Sequence, residues 1–150
     1  MRKIILYCLL LGAAILLPVQ GTDVGKLLPV ELIGVYREGE MVVISTDVGL
    51  EGTGKTIREA IADMKETAAG IVFLDTADFL LLKNVADEEV EAVKEHVKGS
   101  IRICNGTGDI ELKEACAFLR IHKPKLRLRD WNPGKERETL TGMNGKLVLK

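Results

Sequence analysis

Aromatic residues are scarce in this chain: 4% of its 150 residues are Phe, Trp or Tyr, and only one is Trp. It also has just 3 Cys, 4 Pro and 2 His. So few cysteines exclude a disulfide-dense mini-domain, and no Cys-x-x-Cys occurs to seed a zinc site. His96 and His122 fall in predicted helices among charged neighbours, with no Ser-His-Asp order and no G-x-S-x-G elbow. An excess of one charge is missing too: 21 Lys and Arg against 22 Asp and Glu leave a net charge of -1. A general nucleic-acid binder needs a basic excess, so that class is excluded. No period of 20–50 residues repeats and no tract is low-complexity. The length holds one domain and hardly two.

What the chain does have is an apolar block at its start. Met1-Arg2-Lys3 precedes an uncharged run from Ile4 to Val19, with Pro18 near its end and Gly21 just beyond. Two cations, an apolar core and small residues make the three-part pattern of an export signal. Arg2 and Lys3 stay cytoplasmic while the following chain crosses the membrane. The run is 16 residues long, between a signal core and the roughly 20 needed to span a bilayer. Cleavage after Gly21 and retention as a single-pass membrane anchor both fit, with cleavage preferred. Either way the rest is expected outside the cytoplasm, secreted or anchored to the cell membrane.

Without residues 1–21 the charge is 19 minus 22, or -3, over 129 residues. That leaves no polybasic patch for anionic lipid or nucleic acid. Cys8 lies inside the apolar run, too early to be a lipid-modified cysteine after a complete signal. Cys104 and Cys116 remain as an even pair, and both a disulfide and two buried free thiols are compatible with the sequence.

The pattern beyond the block mixes strands and helices. Pro29 to Arg37 and Met41 to Thr46 read as strands joined by Glu38-Gly39-Glu40. Thr56 to Ala68 reads as a helix opened by a Thr56/Glu59 capping box, with Ile57, Ala60, Ile61 and Met64 on one face. Ile71 to Leu74 and Phe79 to Leu82 are short apolar strands. Asp87 is a cap for a helix running to about Lys98. Ser100 to Cys104 reads as a strand, Asn105 to Asp109 as a turn, and Glu111 to Ile121 as a third helix stopped by Pro124. Lys125 to Trp131 alternates like a half-exposed strand. Asn144-Gly145 marks a hairpin between Thr139–Thr141 and Lys146–Lys150. The expected fold is α+β (or α/β): a mixed sheet with three helices over 22–130, a signal or anchor helix at 1–21, and a β-hairpin tail at 131–150.

The sharpest motif is Gly49-Leu50-Glu51-Gly52-Thr53-Gly54-Lys55-Thr56, which satisfies G-x-x-x-x-G-K-[ST] between a predicted strand and a predicted helix. In a phosphate loop, Gly49 and Gly54 amides would wrap phosphates, Lys55 would neutralise them, and Thr56 would bind magnesium. Asp75, closing the apolar strand Ile71-Val72-Phe73-Leu74, would be the second metal ligand. Three features favour a glycine-rich turn instead. Export removes the chain from nucleoside triphosphates, two hairpins leave too few parallel strands, and Thr56 is already used as a cap. Asp75 and Asp78 read first as turn and cap residues. Trp131 reads as closing a small core.

The stretch Gly54-Lys55-Thr56-Ile57-Arg58-Glu59-Ala60-Ile61 resembles the G-x-T-I-x-E-A-I helix start in the N-terminal domain of spore-germination receptor C subunits. The similarity extends loosely over about residues 30–105. It implies an exported α/β domain of the spore inner membrane without known catalysis, with Lys55 at a variable position. The lipid-attachment cysteine is missing here, and the family's later domains have no counterpart in these residues. The function expected is therefore a non-enzymatic exported or membrane-anchored bacterial domain with no cofactor. It would act through a protein partner at the membrane or envelope, in sporulation or germination. A small phosphate-loop nucleotide-binding protein is the alternative.

Overall fold

The computed structural model describes residues 27–143 and 145–150; the apolar run at 4–19 and Asn144 lie outside them. Among the described residues, nine strands and three α-helices form a mixed α+β fold. The strands are β1 (Leu27–Pro29), β2 (Leu32–Glu38), β3 (Met41–Thr46), β4 (Glu51–Gly54), β5 (Ile71–Phe73), β6 (Phe79–Lys83), β7 (Arg102–Gly108), β8 (Thr139–Met143) and β9 (Lys146–Leu149). The helices are α1 (Ile57–Thr67), α2 (Asp87–Lys94) and α3 (Leu112–Ile121). Seven strands make one sheet in the order β4-β3-β2-β6-β7-β8-β9, while β1 and β5 pair separately. The centre, β2-β6-β7-β8, is parallel and both ends are antiparallel hairpins. No helix among the described residues is long and apolar enough to cross a membrane.

Both faces of the sheet are covered. On one, α1 and α2 bury Ala60, Met64, Val90 and Val93 against Ile33, Val35, Ile44, Leu80 and Ile103. On the other, α3 buries Ala115, Cys116 and Leu119 against Leu32, Phe79, Leu81, Cys104 and Leu140. Continuously apolar β6 follows from this double coverage, since both its faces are interior.

Several elements differ from their sequence pattern, each for a tertiary reason. The expected Pro29–Arg37 strand breaks at Val30–Glu31, because the amides of Glu31 and Leu32 turn to Asp47 Oδ1 (3.1 and 3.0 Å). β5, though apolar throughout, is half-exposed, with Ile71 and Phe73 facing solvent. α2 stops at Lys94, four residues before the expected end, although Val97 still packs into the core. Its N-cap is Ala86, with Asp87 the first helical residue; the Glu89 carboxylate accepts from the Ala86 amide at 3.0 Å. β7 runs on through Asn105–Gly108, the expected turn, because Gly106 lets Leu81 close over it and β8 pairs alongside. Lys125–Trp131 is not a strand: it makes one bridge, Arg127 to Arg102, then a 3-10 turn at Leu128–Asp130. That turn drives Leu128 and Trp131 into the core.

Candidate functional site

The phosphate-loop stretch forms an edge strand, not a loop. β4 pairs antiparallel with β3, placing Ile44 beside Gly52 and Val42 beside Gly54. A Cβ on Gly52 would come within 2.5 Å of Met64 N, and one on Gly54 within 2.5 Å of Ala60 N. The two glycines let α1 lie directly on the strand. The amides are engaged as well: Thr53 N–H donates to Asp63 Oδ2 at 2.8 Å, and Lys55 N–H to Glu59 Oε2 at 2.8 Å. Glu59 N–H in turn donates to Thr56 Oγ1 at 3.2 Å, so the expected Thr56 cap forms. The reciprocal half of the box does not, because the Glu59 carboxylate takes the Lys55 amide instead of that of Thr56. Carboxylates of α1 thus occupy the backbone donors that a phosphate would need.

Asp75 is not brought to Thr56. Gly54 lies beside Val42, which pairs with Arg37 at the carboxyl end of β2; Asp75 precedes Phe79, which pairs with Leu32 at the amino end. Five residues of strand separate the two ends, roughly 17 Å at about 3.3 Å per residue. The Thr56/Asp75 metal pair is therefore not assembled. Asp78 instead pairs with Lys98 at 2.8 Å. Among the described residues no cluster of three His, Cys, Asp or Glu is placed to hold a metal ion. His96 lies just beyond α2 and His122 caps the end of α3, where its ring packs on Phe118 at 4.4 Å between centroids.

Cys104, on β7, and Cys116, on α3, are buried free thiols. Burial, followed by the Glu138 carboxylate, pushes the Cys104 thiol up to about 12. Burial, with Asp47 and Glu31 nearby, raises Cys116 to about 11. Both are therefore kept as neutral thiols.

An open concavity lies elsewhere. α3 packs over β2, meets β3 as well, and buries its apolar side chains among residues of β2, β6, β7 and β8. Leu112, the first residue of α3, settles over Gly34, where a Cβ would meet its Cδ2 at 3.0 Å. Beside it an open groove of about 1040 Å³ runs from the β3–β4 turn to the carboxyl ends of β2, β6 and β7. Its floor is Tyr36, Ser45, Leu50 and Leu112, and Glu38, Glu51, Asp109 and Glu111 line it with Lys83 and Lys113. Arg37 is turned away to Glu89 on α2, and Lys83 donates to Gly108 O at 3.0 Å. Carboxylates therefore dominate the rim. Burial, then Glu51, raises the Tyr36 hydroxyl above its ordinary range; Glu38 adds to this and a hydrogen bond with Ser45 opposes it. Asn84 stands at the groove end in the left-handed region, φ 54°.

Of the residues singled out from sequence, Gly49 lines the groove while Gly54, Lys55, Thr56 and Asp75 do not. Tyr36, Ser45, Lys83, Asn84, Asp109 and Glu111 carried no sequence signal. They meet because parallel pairing aligns β2, β6 and β7, a relation between segments about 45 and 70 residues apart. Comparison of the chain with family models, with curated proteins and with solved structures finds no match.

Proposed function

We propose that the chain is an extracytoplasmic, non-enzymatic bacterial domain that acts through protein contact, and that the groove beside α3 is its contact surface. The observation that carries this reading is the carboxylate rim around a partly apolar floor. Such a groove suits an extended segment that lays an apolar side chain on Tyr36, Leu50 and Leu112 and a cation against Glu38, Glu51 or Asp109. Export rests on the Met1–Gly21 pattern. A place in spore germination rests on the residues 54–61 resemblance, and gene neighbours outside any sporulation or germination cluster would count against it.

Calorimetry of the full chain with a short Lys- and Leu-containing peptide tests the contact. Binding is expected to weaken with added salt and to fall roughly tenfold or more in Glu51→Lys. Equal binding of an acidic counterpart would overturn the assignment. Thermal melts with MgATP or MgGTP test the nucleotide alternative, because a ligand well above its Kd stabilises the fold. No shift is expected; a shift abolished by Lys55→Ala would restore the phosphate loop. For export, the mature N-terminus decides: a chain beginning at Met1 in the soluble cytosol contradicts it.

A further inference from the structure

On the side of α3 away from the groove, the sheet ends at β9. Thr139 and Lys150 exchange both backbone hydrogen bonds, at 2.7 and 3.1 Å. Antiparallel pairs alternate, so Thr141–Val148 and Met143–Lys146 are bonded pairs as well. Leu147 and Leu149 therefore aim their N–H and C=O groups away from β8, at the open edge. Their side chains pack towards α3, and a cleft of about 480 Å³ runs between them and Phe118, His122 and Lys123. Ile121, at the end of α3, is 78% exposed, and on the opposite face of the hairpin Met143 is 66% and Val148 45% exposed. Lys146 and Lys150 stand exposed at the ends of the strand on the Val148 face, and Lys123 is exposed at the cleft.

Open backbone groups, an apolar cleft and a cationic rim coincide at one edge. We propose that β9 docks an extended acidic segment of a partner protein by antiparallel strand addition. Pairing with Lys146-Leu147-Val148-Leu149-Lys150 sets the pattern of that segment. Its first and fifth residues, opposite the two lysines, are acidic. Its second and fourth residues are apolar, beside the leucines and over the cleft. A second copy of this chain fits poorly, because β9 against itself sets Lys146 opposite Lys150 and like charges directly opposite destabilise a sheet. An anionic lipid surface would meet the lysines but leave the edge amides of Leu147 and Leu149 without partners. This surface is distinct from the groove, which has the opposite charge.

The test is fluorescence anisotropy of a labelled peptide with Glu-Leu-Val-Leu-Glu between neutral flanks, titrated with the full chain. Saturable binding is expected, weakening with salt and falling roughly tenfold or more in the Lys146→Glu, Lys150→Glu double variant. The variant's melting temperature should match the parent, since both lysines are exposed. The same peptide N-methylated at its second and fourth residues should fail to bind, because those amides face β9. Equal binding of the methylated peptide or of Lys-Leu-Val-Leu-Lys would overturn the proposal. So would a dimer broken by the double variant, or attachment to phosphatidylglycerol vesicles without peptide binding.

Discussion

Thr56 Oγ1 accepts from Glu59 N–H at the start of α1, so the cap read from their spacing exists as geometry, although the Glu59 carboxylate takes the Lys55 amide rather than that of Thr56. Thr56→Ala should cost about 1 kcal/mol of folding stability in urea melts; an unchanged midpoint would contradict the cap. The glycines before it are not equivalent. Gly49 has φ +80° with open space around it, so Gly49→Ala should cost roughly 1–2 kcal/mol through backbone strain alone. Gly52 presses on the backbone of α1, and Gly52→Ala should reach or exceed the upper end of about 1–3 kcal/mol. A phosphate loop would not order them so. The thiols make a third residue-scale prediction. The fold raises Cys104 to about 12 and Cys116 to about 11 from an ordinary 9.0. A raised pKa means the folded state holds the proton more tightly. The stability this lends is complete below about pH 9 and is lost as pH climbs through 11–12. Both thiols should resist alkylation in the native protein and react after denaturation; an intact mass lower by two hydrogens would indicate a bridge instead.

At the scale of elements, local chemistry and tertiary demand part company at identifiable places. α1 was legible because its cap, its apolar face and its stop all agree. β4 was not: Glu-Gly-Thr-Gly has poor strand propensity, and it is extended because α1 needs a surface without side chains to lie on. Its edge is blunted by Asp63, which covers the outward Thr53 amide. The segment after α3 misled through its alternation, since Leu126, Leu128 and Trp131 pack on the core from a turn rather than a ladder. That turn is fastened to α2: Asp87 accepts from Gly134 N–H at 3.2 Å and pairs with Arg137 at 3.5 Å. Lys94 and Arg137 lie over the Trp131 ring, 4.9 and 5.4 Å from its centroid. Trp131 is the single tryptophan and is 1% exposed, so its fluorescence reports this attachment. Asp87→Ala should raise acrylamide quenching of Trp131 before any loss of helical circular dichroism; unchanged quenching would show that the strap holds without Asp87.

For the whole molecule, the mixed sheet, three helices and terminal hairpin were legible, because amphipathic periods and turn residues are local signals. The joining of that hairpin to the central sheet was not, as it depends on β8 lying parallel to β7 across a long connection. The groove is hidden for the same reason, its walls being drawn from β2, β3, β6 and the start of α3. α3 separates the carboxylate-lined groove from the apolar cleft beside β9, whose Lys146 and Lys150 stand on the opposite face of the sheet. The most direct measurement is amide chemical-shift mapping on the full chain during titration with the Lys- and Leu-containing peptide. Salt-sensitive shifts are expected to be confined to Tyr36, Ser45, Leu50, Glu51, Asp109 and Leu112, with Lys55 and Thr56 unmoved. Shifts scattered over the surface, centred on Lys55 and Thr56, or missing at saturating peptide would contradict a contact surface in the groove.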